Sequence, residues 1–245
     1  MNRLLAVLVL GIGILAGAAQ AAEEGVPLQA AHVNLHDIAS VQRGARLYFN
    51  YCAGCHSLEY MRYARIARDL HLSEAQVMDN LDFNGAKFDD PALSSMPAAD
   101  AARWFGKAPP DLSLEVRARG ADWVYTYLKS FYLDPSRPSG WNNTLFPNVS
   151  MPDPLWSLQG VQTAQYAPAV PGHDPQVERL LISQPGLQSP QQYDRSVRDL
   201  TAFLTYVSEP NVYHRERLGL WVILFLVVFT LLALYLKHEY WKDVH

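Results

Sequence analysis

The stretch Cys52-Ala53-Gly54-Cys55-His56 decides how the rest of this chain is read. Two thiols separated by two residues and followed at once by an imidazole form the attachment pattern of c-type haem. Each cysteine can add across one haem vinyl group to give a thioether. The two-residue gap lets one short turn reach both vinyls, and the turn then offers His56 to the iron as proximal ligand. Ala53 and Gly54 are small, so the backbone can lie close to a porphyrin edge. Other uses of the motif fit less well. A structural zinc site needs four protein ligands, and the chain has only 2 cysteines. A thioredoxin-type pair follows a strand in a βαβ unit, whereas the residues before Cys52 have helical periodicity. A plain disulfide leaves the adjacent histidine unexplained.

Working outward, Val41, Ala45, Tyr48, Phe49 and Cys52 recur at three- and four-residue steps. This predicts a helix that delivers the chain to the haem, with Ser40 as its N-cap. Val197, Leu200, Leu204 and Val207, with Phe203 beside them, predict a second helix. Asp194 or Ser196 would cap it, and Pro210 lies past its end. Packing these two stripes together would close the domain, each large apolar side chain contributing roughly 2 kcal/mol. Further helices are expected around 57–70, over 74–81 opened by Ser73, over 112–119 capped by Asp111, and along Trp123, Val124, Tyr127, Leu128 and Phe131. Residues 22–40 read as an irregular lead-in. The acidic, turn-rich residues 82–100 read as a loop and a candidate docking face. Ten of the 16 prolines fall within 133–195, so little regular structure is expected there. That length reads as a wrap over one face of the haem. Asn142-Asn143-Thr144 matches a glycosylation acceptor.

Both ends are apolar. Met1-Asn2-Arg3, the run Leu4–Ala16 and Ala19-Gln20-Ala21 read as a signal peptide over residues 1–21. Thioether attachment generally takes place outside the bacterial cytoplasm, which fits export. Leu218 to Leu236 carries no charge. At about 1.5 Å per residue it can cross a bilayer core, and it is apolar on every face. The expected organisation is an exported haem domain over 22–214, a transmembrane anchor over 215–238 and a short cytoplasmic tail over 239–245. The fold class is mainly α, with long irregular loops and one C-terminal transmembrane helix. The net charge of -4 gives no sign of nucleic-acid binding.

An iron held only by His56 would keep an open position suited to gas or peroxide chemistry, whereas a second strong ligand makes an electron carrier. Histidine with methionine raises the reduction potential. Met61 lies too close to His56 to reach the far face, and Met78 belongs to a helix core. Met96 and Met151 each precede a proline, which favours an extended backbone able to present the side chain. Met151, in the proline-rich wrap, is the stronger candidate. His71 and His173 remain alternatives.

The chain resembles the cytochrome c1 family, the haem subunit of the cytochrome bc1 complex (ubiquinol–cytochrome c reductase). The resemblance runs from Gln42 to the C-terminus. It rests on Arg43-Gly44 with the haem motif and Ser57-Leu58, on Ala108-Pro109-Pro110-Asp111-Leu112-Ser113 leading to Arg117-Ala118-Arg119, and on Phe146-Pro147 ahead of Met151-Pro152. Glu209-Pro210, His214-Arg215, Arg217 and Leu218-Gly219-Leu220 complete it.

The resemblance implies one covalently attached haem c with His56 and Met151 on the iron. It also implies Arg119 near a propionate, and Pro109, Pro110 and Phe146 lining the pocket. It implies electrons taken from the Rieske iron–sulfur protein and passed to a soluble or membrane-bound cytochrome c, within a dimeric complex containing cytochrome b in the bacterial inner membrane. The haem domain would face the periplasm. On this reading the chain is an electron-transfer subunit of an oxidoreductase complex rather than a catalyst alone. The alternatives are a membrane-anchored cytochrome c feeding an oxidase, and a haem sensor or peroxidase. Many family members have a second glycine where Ala121 follows Gly120. Some bacterial members brace the wrap with an extra cysteine pair that is absent here, so Met151 is expected to rely on packing alone.

Overall fold

The computed structural model describes residues 26–168 and 175–243. Residues 1–21, read above as a signal peptide, and His173 lie outside the described residues. Helix α1 (Ile38–Tyr51) leads into the haem motif as expected, but its cap is Asp37, whose carboxylate accepts from the Ser40 amide. The Ser40 hydroxyl has another use: it donates to Asp199 at 2.5 Å across the core.

The turn after α1 is followed by a strand, β1 (Leu58–Arg62), and a short helix, α2 (Tyr63–Asp69), in place of one helix over 57–70. The apolar spacing of Leu58, Met61 and Ile66 imitates a helix. The backbone is pulled extended by distant groups: the Glu59 amide donates to Asp111 and the Tyr60 amide to the Ser113 hydroxyl. Helix α3 (Glu74–Leu81) has the expected Ser73 cap, closed reciprocally by Gln76. Strand β2 (Pro91–Ala92) pairs with β1, and helix α4 (Ala98–Phe105) follows.

The predicted helix over 112–119 forms only as α5 (Glu115–Arg119), because Asp111 spends its carboxylate on Glu59 and Ser113. Helix α6 (Ala121–Lys129) stops before Phe131, which opens strand β3 (Phe131–Leu133). β3 belongs to a sheet that the proline content had argued against. β4 (Trp141–Asn143), β5 (Gly160–Tyr166) and β6 (Val177–Pro185) complete it, in the order β4-β3-β5-β6. β3 runs parallel to β5, and the other pairs are antiparallel. The short helix α7 (Trp156–Gln159) precedes β5. Among the described residues, the prolines of this stretch sit between these strands or, as Pro185, at a strand end, where no ladder amide is required, and Pro190 opens the helix that follows. The fold is still mainly helical.

Helix α8 (Pro190–Ser208) begins earlier than its apolar stripe indicated. Ser189 and Gln192 form a capping box, with Pro190 at the first helical position. Asp194 and Ser196 are therefore inside the helix. The buried faces of α1 and α8 meet at Gly44, where a Cβ would lie 2.0 Å from the Asp199 carbonyl oxygen. Arg43 adds a forked contact to the Asp199 carboxylate at 2.6 and 3.0 Å. Helix α9 (Val212–Tyr240) follows after only Glu209-Pro210-Asn211. Its span His214–Tyr240 is long and apolar enough to cross a membrane, and none of it is buried.

Candidate functional site

The CXXCH turn is a continuation of α1. The Cys55 and His56 amides both donate to the Cys52 carbonyl, at 3.0 and 2.9 Å. Tyr48, fully buried on α1, donates its hydroxyl to the His56 carbonyl at 2.6 Å. Burial pushes that phenol well above its usual range, so it remains a donor. On the outer side, Ser94 donates to the Gly54 carbonyl at 2.8 Å, and its amide donates to the Ser57 hydroxyl. The turn is thus held from the core and from the loop that follows β2.

This turn forms one wall of a cleft of about 1310 Å³, its open mouth included. Cys52, Cys55, His56, Pro109, Pro110, Arg119, Phe146 and Met151 all line it. The cysteines are unpaired. Burial pushes the Cys52 thiol up to about 12, with Cys55 adding to the effect, and it raises Cys55 as well. They are neutral thiols in an apolar cleft. Among the described residues no group of three His, Cys, Asp or Glu side chains could hold a bare metal ion.

His56 is 9% exposed, and its Nδ1 lies 2.7 Å from the Pro110 carbonyl oxygen. A carbonyl only accepts, so Nδ1 carries the proton and Nε2 keeps its lone pair. Burial lowers the imidazole pKa, partly offset by the bond to Pro110, which favours the neutral, ligating form. Met151 brings a thioether to the same cleft. Met61 is buried in the core, Met78 lies on α3 against it, and Met96 and His71 are not among the cleft residues. Two thiols, a neutral imidazole with a free nitrogen and a thioether in one apolar cleft fit the donor set of a haem c.

The sequence of this site points to a known group. The model of the cytochrome C1 family matches residues 29–172 and 185–244. The chain belongs to the cytochrome c1 family. It is 52% identical to cytochrome c1 of Allochromatium vinosum over 222 residues, 90% of this chain and 91% of that one. It is 39% identical to a Nitrosomonas europaea protein named ammonia monooxygenase gamma subunit, over 99% of this chain and all of the other. It is also 30% identical to the mitochondrial cytochrome c1 heme protein of Schizosaccharomyces pombe, over 85% of this chain and 68% of that one.

Within this cytochrome c1 framework the glycine departure has a simple geometry. Gly120 alone takes the positive φ, +91°, that ends α5 and opens α6, and Ala121 is already helical. Arg119 is ion-paired with Glu115, and its guanidinium lies 4.3 Å from the Trp123 ring centre.

The loop bearing Met151 is not held by packing alone. Asn142 Oδ1 accepts from the Asn143 and Asn148 amides, and its Nδ2 donates to Asp134. Asn143 Oδ1 accepts from Leu145 and Phe146. These asparagines are 8% and 1% exposed, so the glycosylation motif serves as an internal loop brace. Asp153 is buried as well, and desolvation pushes its carboxyl up to about 7, against the Leu155 amide bond that lowers it. Sequence reading also missed Tyr127, whose hydroxyl reaches the Met151 sulfur. An aromatic at helical spacing reads as core, and only its distance to a methionine in another segment reveals it.

Proposed function

We propose that this chain is the haem electron-transfer subunit of a ubiquinol–cytochrome c reductase. The observation that carries this reading is the single cleft lined by Cys52, Cys55, His56 and Met151. Cys52 and Cys55 would hold one haem by thioether bonds, and His56 and Met151 would supply ligands to its iron. The haem supplies one-electron chemistry when bound. The chain's own residues hold it: Pro110 fixes the His56 tautomer, Tyr48 pins the CXXCH turn, and the Asn142–Asn143 brace presents the Met151 loop. Arg119 would face a propionate, where its fork suits a carboxylate.

On this reading electrons come from the Rieske iron–sulfur protein and leave to a soluble or membrane-bound cytochrome c. Cytochrome b sits beside α9, and the complex is a dimer. Residues 1–21 are removed on export, residues 22–214 face the periplasm, residues 215–238 cross the inner membrane, and 239–245 remain inside.

A tethered carrier that swings toward an oxidase would need a flexible linker. Here Glu209 pairs with Arg215 at 2.9 Å and approaches Arg117 at 3.9 Å, while Arg65 donates to Asn211 at 2.6 Å. Head and anchor are joined by a braced three-residue link, which supports a fixed subunit. The test is purification from membranes with subunit identification. Cytochrome b and a Rieske protein are expected in equal amounts with this chain. Isolation with an oxidase and neither of those would overturn the proposal.

A further inference from the structure

The Tyr127 hydroxyl lies 3.6 Å from the Met151 sulfur. A thioether only accepts, so the phenol is the donor. The ring has little freedom. Trp123 stacks on it with centres 5.0 Å apart and planes 11° from parallel. Phe131 meets it edge-on, also at 5.0 Å. Asn143, one of the two braces of the Met151 loop, donates to the Tyr127 carbonyl at 2.8 Å. Glu115, Arg119, Trp123 and Tyr127 therefore step four residues at a time along α5 and α6, each touching the next, and the series ends on the sulfur.

We propose that Tyr127 is a positioning residue for Met151. Its hydroxyl occupies one sulfur lone pair, leaves the other for the iron, and biases the site toward the ferrous state. The inference rests on the assignment of Met151 as iron ligand. A sulfur that accepts a hydrogen bond gives less electron density to a metal. Ferric iron, the more electron-poor of the two states, depends more on that donation and loses more by this than ferrous iron does, so hydrogen bonding at the ligand moves the potential. The clamp on the ring fixes where the sulfur can sit, because moving it would break the hydrogen bond.

The test uses the full chain matured in its membrane complex, with Tyr127→Phe, Met151→Leu and the double variant, and with Tyr125→Phe as control. Tyr125 is on the same helix but directs its hydroxyl to Asp194. Redox titration of the haem is the main readout, and carbon monoxide binding is the second. For Tyr127→Phe the reduced-to-oxidised ratio at fixed ambient potential is expected to fall about threefold, or about 28 mV at 59 mV per tenfold for one electron. Carbon monoxide is expected to bind faster, and Tyr125→Phe to do neither.

In the Met151→Leu background, Tyr127→Phe is expected to have no further effect, because the bond is already gone. An equal shift in both backgrounds would make Tyr127 a general packing residue and overturn the proposal. So would a parental potential in Tyr127→Phe, or loss of haem attachment in it. The ligand assignment is judged separately. If Met151→Leu alone leaves the potential unchanged, that assignment fails and takes the proposal with it. If Met151→Leu lowers the potential and Tyr127→Phe does not, only the hydrogen bond is refuted.

Discussion

Individual residues carry the chemistry of the site, and the ones with distinctive chemistry could be read directly. A CXXCH run has few other meanings, and a methionine before proline in a proline-rich loop is a natural candidate to turn inward. All of them meet in one cleft. With Met151 as the proposed iron ligand, Met151→Leu is expected to leave the haem attached while lowering its potential, by at least tenfold in the reduced-to-oxidised ratio, because a soft ligand favours ferrous iron. Redox titration checks it. Arg119→Gln is expected to lower the same ratio by about three- to tenfold, since a nearby positive charge favours the less positive, reduced haem. The effect is moderated by the partial exposure of Arg119. Comparing the titration at low and high salt checks it, and the difference from the parent should shrink in high salt. The supporting residues were not legible. Tyr48, Trp123 and Tyr127 act through one hydroxyl or one ring face, and helical spacing files all three as core.

Secondary elements were legible where one local signal governed them. The apolar faces of α1 and α8, the Ser73 cap and the apolar C-terminal run are of this kind. They were misread where a distant partner decided. Asp111 and Ser113 hold β1 extended although its apolar spacing suits a helix. Prolines that suggested a structureless wrap only punctuate the strands of a sheet. The Gly44 contact shows how little room such packing leaves. Gly44→Ala is expected to lower stability by about 2–3 kcal/mol, because the new methyl meets the Asp199 backbone rather than a flexible side chain. Thermal unfolding of the detergent-solubilised protein reads this as a lower Tm. Asn142→Ala is expected to cost about 1–3 kcal/mol and to loosen the Met151 loop, since Asp134 and two backbone amides lose their partner. Carbon monoxide binding reads the loosened loop and should become faster.

The whole molecule is tied together by charge as well as by its core. Asp194 on α8 accepts from Tyr125 and from Lys129 on α6, and from Arg198 on its own helix. Burial pushes its carboxyl up, but the bonds from Lys129 and Tyr125 and the two nearby positive charges more than reverse this, and its pKa is lowered. A depressed carboxylate adds stability above its unfolded pKa of about 3.9 and loses it as pH falls through the folded value. Asp194→Asn is therefore expected to lower stability by about 1–2 kcal/mol at neutral pH and to flatten the decline below about pH 4, which Tm measured against pH would show. The mainly helical class and the C-terminal membrane helix were evident from composition and periodicity. The four-stranded sheet was not, because β3 and β4 are only 3 residues each, β3 pairs with the non-consecutive β5, and the prolines between β5 and β6 hide the hairpin those two form.

The most direct measurement is the intact mass of the denatured, purified chain together with a thiol-alkylation assay. One haem is expected to remain on every polypeptide, with neither Cys52 nor Cys55 open to alkylation. A chain that loses its porphyrin on denaturation and exposes two reactive thiols would contradict a covalent haem at this site.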